Sequence, residues 1–182
     1  MNKKTWNIDA AHSAINFSVR HMVFAKVRGR FASWTGALAL HDDDITQSSV
    51  NVEIDASSID TGVGDRDNHL RSGDFFDVEA FPKLTFVSTQ IESVGDDRYR
   101  VHGNLTIRDV TREVVLDTEF GGRAKDPWGN QRVAFTAKTS LDRADFGLEW
   151  NQLLEAGGVL VGQRIEIELD VQAVQASASA AA

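Results

Sequence analysis

The sequence contains no cysteine, which excludes disulfides, thiolate metal sites and a cysteine nucleophile and leaves the redox compartment undecided. It also lacks any run approaching the ~20 apolar residues that a helical membrane span requires. Met1, Asn2, Lys3 and Lys4 are followed by Thr5, Trp6, Asn7, Ile8 and Asp9, with no apolar core of the kind an export signal carries, so a cytoplasmic setting is expected. Positive charge is in short supply. The 19 Lys and Arg face 27 Asp and Glu, a net charge of -8, and that balance repels nucleic-acid phosphates and anionic membrane surfaces. Nucleic acid is therefore not an expected partner, nor is stable membrane insertion, and a homodimer is left open. Motifs of catalysis are missing too: there is no Gly-x-Ser-x-Gly elbow and no phosphate-cradling glycine loop. His12, His21, His41, His69 and His102 are scattered, without the short spacing of a zinc motif. No catalytic residue, metal or cofactor is expected.

What is present is alternation. Hydrophobic residues at 42% and charged residues at 25% suit one folded domain, and period two recurs along most of the chain. It appears in Ile15, Phe17 and Val19; across Val27 to Leu40; in Val50, Val52 and Ile54; and in Leu84, Phe86 and Ser88. It returns in Tyr99 to Ile107, Val114 to Phe120, Val133 to Leu141 and Ile165 to Ala173. Each run reads as a half-buried strand. About eight such strands is the number at which a closed barrel encloses one small ligand. Asp42-Asp43-Asp44, Gly95-Asp96-Asp97, Gly121-Gly122 and Asp126 to Asn130 read as turns between antiparallel neighbours. Thr61 is placed to cap one short helix through Arg71, stopped by Gly73. The irregular stretch from Asp145 to Gly158 is expected to pass over a barrel opening. Residues 1–174 are assigned to the domain and 175–182 to a frayed Ser/Ala tail.

Several segments together resemble the YceI-like family. They are Asp9-Ala10-Ala11-His12-Ser13 leading to Phe17 and Arg20-His21, then Val27-Arg28-Gly29-Arg30-Phe31. The run from Arg66 to Asp77 followed by Phe81-Pro82, Gly103 to Ile107 with Val110-Thr111, and Arg143 to Leu148 complete the set. The resemblance covers roughly residues 5 to 174 and implies an all-β, closed antiparallel eight-stranded lipocalin-like barrel with an elongated pocket for isoprenoid or other lipid-like chains. Asp109 stands where the family pattern usually has glycine, which puts the local turn in question. Many family members carry an export signal, so their periplasmic setting is not carried over.

If the barrel closes, Phe17, Val19, Phe31, Phe86, Leu105 and Phe135 point into one volume, and Gly103, Ala137 and Thr139 leave room there. A ligand cavity and a solid core are both compatible with this pattern. His21 shares the phase of Phe17 and either meets a polar end of the ligand or is a satisfied structural histidine. Arg66, Asp67, His69 and Arg71 either cradle a charged head group or fix the helix to the barrel. Arg66, His69 and Arg143, beside Phe75, Phe76 and Phe146, are the candidate head-group residues. The four tryptophans read as packing residues, with Trp150 a candidate for the pocket mouth. The expected function is binding or carriage of an amphiphilic isoprenoid-like molecule. The alternatives are an isomerase or hydrolase using His21 or His69, and a structural or stress-related interaction protein with a filled barrel.

Overall fold

A computed structural model describes residues 2–155 and 157–177. Its strands are β1 (Lys3–Ile8), β2 (Ala14–His21), β3 (Ala25–Phe31), β4 (Trp34–His41), β5 (Ser49–Asp55) and β6 (Ile59–Asp60). After the helix α1 (Gly64–Arg71) follow β7 (Lys83–Gly95), β8 (Arg98–Ile107), β9 (Val110–Lys125), β10 (Gln131–Asp142) and β11 (Val161–Gln175). All pairings between these strands are antiparallel. Three strands are broken in two. β1 and β2 lie one after the other along β11, β3 and β4 form the next position, and β5 and β6 the third. With β7 to β11 this gives eight strand positions, closed where Trp6 pairs with Gln175 and Ile8 with Ala173.

The breaks have local causes. Asp9 and Asp55 each accept a hydrogen bond from a backbone N–H two residues on, capping the 3-10 turns Ala10–His12 and Ala56–Ser58 as Asx caps do. Between β3 and β4, the Ala32 N–H donates to the Ser58 carbonyl and the Asp55 N–H to the Ser33 carbonyl. The expected single strand from Val27 to Leu40 is therefore divided at the point where its backbone is engaged by the break opposite.

Gly121-Gly122 is not a turn. β9 runs through both residues, and the register shifts so that Ala134 pairs with Gly122 but Phe135 with Phe120. Gly122 has φ of 115°, so these glycines make a bulge, an alternative use of the same residues. Gly103 does not leave room either, because a Cβ there would lie 2.3 Å from Phe86 Cζ. Phe86 covers it, as Phe17 covers Gly29 on the paired strand, an aromatic ring taking the space of a missing side chain. At Asp109 the left-handed residue of the two-residue turn is Arg108, with φ of 55°, and glycine is not needed at 109.

The helix is the one expected, but Val63 is its N-cap and makes no side-chain cap. Thr61 instead gives both its N–H and its hydroxyl to the buried carboxylate of Asp67. Arg71 donates to the carbonyls of Ser57 and Ile59. Asp67 and Arg71 thus fasten α1 to the strand before it. The last strand passes the expected domain boundary: Gln175 is paired, and the Ala176 N–H donates to the Thr5 carbonyl. The rest of the expected tail, residues 178–182, lies outside the described residues. Trp128 departs from the packing expected of it and is 81% exposed, at the tip of the β9–β10 hairpin.

That hairpin is organised by one carboxylate. Asp126 accepts from the N–H groups of Trp128 and Asn130, the Asn130 amide and Arg132 Nε. Arg132 continues to Asp9 at 2.9 Å, tying the hairpin to the β1–β2 break. Burial raises the Asp126 pKa, but the hydrogen bonds from Arg132, Asn130 and Trp128 outweigh it and hold the group at about 2, below the ordinary 3.8. A lowered folded-state pKa stabilises fully above the unfolded value and is lost as pH falls through the folded one. The melting temperature of wild type should therefore exceed that of Asp126→Asn at neutral pH, with the gap closing from about pH 4 toward pH 2. A gap independent of pH in thermal melts would show that the carboxylate charge is not what matters.

Candidate functional site

The inward phase of every barrel strand meets in one cavity of about 380 Å³. Its wall is almost wholly aliphatic and aromatic. Ile15, Phe17, Val19 and His21 reach it from β2, Phe31 from β3, Phe86 from β7, Leu105 from β8 and Phe135 from β10. Ala137 and Thr139 also line it. A filled barrel has no such volume. At the end where β1 meets β11 the interior is plugged by Trp6, Leu38, Leu40, Val133 and Ala173. Tyr99 lies toward that end, its phenol pKa raised by burial and by the carboxylates of Asp97 and Asp44.

The ionisable candidates gather at the other end, beneath α1 and the 147–160 segment. Arg66 lines the cavity and gives Nε to the Thr61 hydroxyl at 2.7 Å and Nη2 to the Thr61 carbonyl at 2.9 Å. It has no ion-pair partner among the described residues. His69 also lines the cavity, hydrogen-bonded through Nε2 to Asp74 at 2.9 Å. Its ring meets Trp150 edge-on at 4.5 Å and Phe75 at 5.1 Å. Phe76, Phe31 and Phe17 continue the aromatic wall inward, with centroid separations of 5.9 and 5.7 Å. Trp150 lines the cavity beside His69, and Leu148, Trp150 and Leu160 bring the irregular segment to its wall. His21 makes no side-chain hydrogen bond, and neither imidazole is bonded to a hydroxyl nucleophile among the described residues.

Two candidates are placed differently. Phe146 is 2% exposed and belongs to the packed cluster with Ile107 and Leu148; it is not on the cavity wall. It ends the 3-10 turn Arg143–Phe146, whose backbone direction differs from that of the strand before it. Arg143 borders the cavity but is 3% exposed. Its guanidinium donates to the carbonyls of Gly162, Leu148, Trp150 and, at 3.4 Å, Val161. Burial lowers its pKa, only partly opposed by the nearby Asp142 carboxylate. Its geometry is that of a clasp between the turn after β10 and the start of β11.

Sequence reasoning missed Thr61, Tyr99, Leu148 and Leu160 as wall residues. Tyr99 was discoverable, since it shares the phase of Val101. Thr61 was not, because its contact with Arg66 arises from the turn before α1.

A closed antiparallel barrel with one long apolar cavity and polar groups at one end defines the lipocalin-like class. The YceI-like domain family matches residues 6–173, and the chain belongs to that family. A UPF0312 protein of Vibrio vulnificus is 41% identical over 138 residues, covering 76% of this chain and 73% of that protein. Among solved structures, Burkholderia cenocepacia BcnA shares the fold with a TM-score of 0.80 and 21% identity, over 91% of this chain and 98% of that one. A polyisoprenoid binding domain from Saccharophagus degradans superposes with a TM-score of 0.72 at 15% identity, over 94% and 98% of the two chains.

Proposed function

We propose that the barrel binds and carries an amphiphile with a long, isoprenoid-like apolar chain, its polar end lying against Arg66 and His69. The observation that carries this reading is the apolar cavity of about 380 Å³ with its cationic group at one end. The volume falls within the usual range of small-molecule sites. The fold shared with a polyisoprenoid binding domain supports it. Binding would be driven by burial: roughly 25 cal/mol for each Å² of apolar surface removed from water accumulates quickly along a prenyl chain.

Solvent extraction and native mass spectrometry of freshly purified protein should recover a lipid-like species. Extracts without one, together with no binding of added prenyl compounds, would refute the reading. Arg66 separates head groups. Arg66→Ala should weaken a prenyl phosphate by about 1.5 to 3 kcal/mol, the worth of a hydrogen bond to a charged group, and leave a prenyl alcohol of equal length nearly unaffected. Equal losses for both ligands in titration calorimetry would assign Arg66 to holding Thr61 alone.

A further inference from the structure

The barrel end that carries α1 also carries uncovered apolar side chains. Phe24 is 90% and Leu153 83% exposed, Met22 and Val23 are half exposed, and Val159 is partly so. Met22, Val23 and Phe24 form the tip of the β2–β3 hairpin. The Phe24 N–H donates to the Met22 carbonyl at 2.8 Å, and Met22 and Val23 have φ of 53° and 68°. A left-handed backbone favours glycine or asparagine, and a β-branched residue there is an outlier. The turn holds bulk where a smaller residue would be easier. The tip does not stand alone, because the Met22 N–H donates to the Leu160 carbonyl and Val23 lies against Gly158. Leu153 bridges to Val159 within the same segment. His21 and Leu160 line the cavity, so this outer face continues directly from its wall.

The charge beneath the tip is opposite to that of the whole molecule. Between Asp9 and Asp42 the sequence has no Asp or Glu but contains Arg20, Lys26, Arg28 and Arg30. Arg30 is paired with Asp60. Arg20, Lys26 and Arg28 are exposed and make no ion pair among the described residues. Arg20 faces Lys26 on the second rung below the tip, and Arg28 lies two residues further. Of the carboxylates at this end, Glu166 is held by Arg164 at 2.6 Å and Asp74 by His69 at 2.9 Å, while Asp65 lies on α1 and Glu149 and Glu155 on the 147–160 segment.

We infer that this face docks on an anionic lipid bilayer, with Val23, Phe24 and Leu153 entering the acyl boundary and Arg20, Lys26 and Arg28 meeting the head-group phosphates. An apolar tip above a basic collar is the arrangement that binds reversibly at a lipid interface. A protruding hairpin enters a fluid layer without a shaped receptor. A second copy is a poorer partner, since a two-fold contact sets the same cations against each other. The inference stands apart from the identity of the molecule in the cavity.

The full chain is tested by cosedimentation with vesicles of phosphatidylcholine alone and of phosphatidylcholine with phosphatidylglycerol, at low and physiological salt. Wild type should bind the anionic vesicles preferentially, and less as salt rises. Lys26→Gln and Arg28→Gln should each weaken binding about fivefold, and Phe24→Ser about tenfold or more. Trp128→Ser, which removes the exposed aromatic at the opposite end, should bind as wild type. Melting temperatures should match across the set, since every substituted side chain is exposed. Absence of vesicle binding would overturn the inference, as would equal binding to neutral vesicles or wild-type partitioning by Phe24→Ser. A solution dimer that Phe24→Ser dissolves would assign the face to a second copy instead.

Discussion

Arg143→Met should melt about 10 °C or more below wild type, from a loss of about 3 to 5 kcal/mol in a domain of this size. The loss follows from what the guanidinium holds. It is 3% exposed and donates to the carbonyls of Leu148, Trp150, Gly162 and Val161. Methionine fills most of the volume but removes the guanidinium from the Leu148, Trp150 and Gly162 carbonyls, at about 1 to 3 kcal/mol for each one that stays buried and unmade, while the Val161 carbonyl keeps the Asn151 amide. Arg143→Lys should recover only part, because one ammonium cannot span carbonyls on both sides of the 147–160 segment. Urea and thermal denaturation give the readout. Unchanged stability with a selective loss of phosphate-ligand affinity would return Arg143 to the head-group site.

Phe17→Asp should cost at least about 4 kcal/mol, among the larger effects of a single substitution. The ring lines the cavity, covers Gly29 and packs 5.7 Å from Phe31. Aspartate removes that cover and sets a carboxylate into an apolar wall with no partner. Its neighbour is the internal control. Ser18 lies on the opposite phase, paired with Arg28, so Ser18→Asp should shift stability by no more than about 0.5 kcal/mol. Comparable melting curves for the two variants would mean that the strand faces the other way.

The inward phases were readable from sequence because a pleat leaves only two choices. Ile15, Phe17, Val19 and His21 all reach the cavity wall, as their alternation requires. Gly121-Gly122 was ambiguous because paired glycines serve a turn or a bulge equally well, and the decision lies in the facing residues Ala134 and Phe135. Arg143 beside Phe146 suggested a charge with an apolar anchor. Its partners are backbone carbonyls, which no side-chain pattern announces, and one of them is 19 residues away. The net charge of -8 argued against anionic surfaces, yet the β2–β3 hairpin concentrates cations with no carboxylate among them. A total charge says nothing of its distribution.

The seam between β1 and β11 carries a constraint on biosynthesis. Trp6 and its partner Gln175 are joined by most of the barrel, so the seam forms only after β11 has left the ribosome. Until then the nascent sheet has an open edge and an uncovered apolar concave face, the two features that make unfinished β-proteins aggregate. Ribosome-bound lengths that stop short of β11 therefore keep that edge and that face open, and both close together when β11 pairs with β1, β2 and β10.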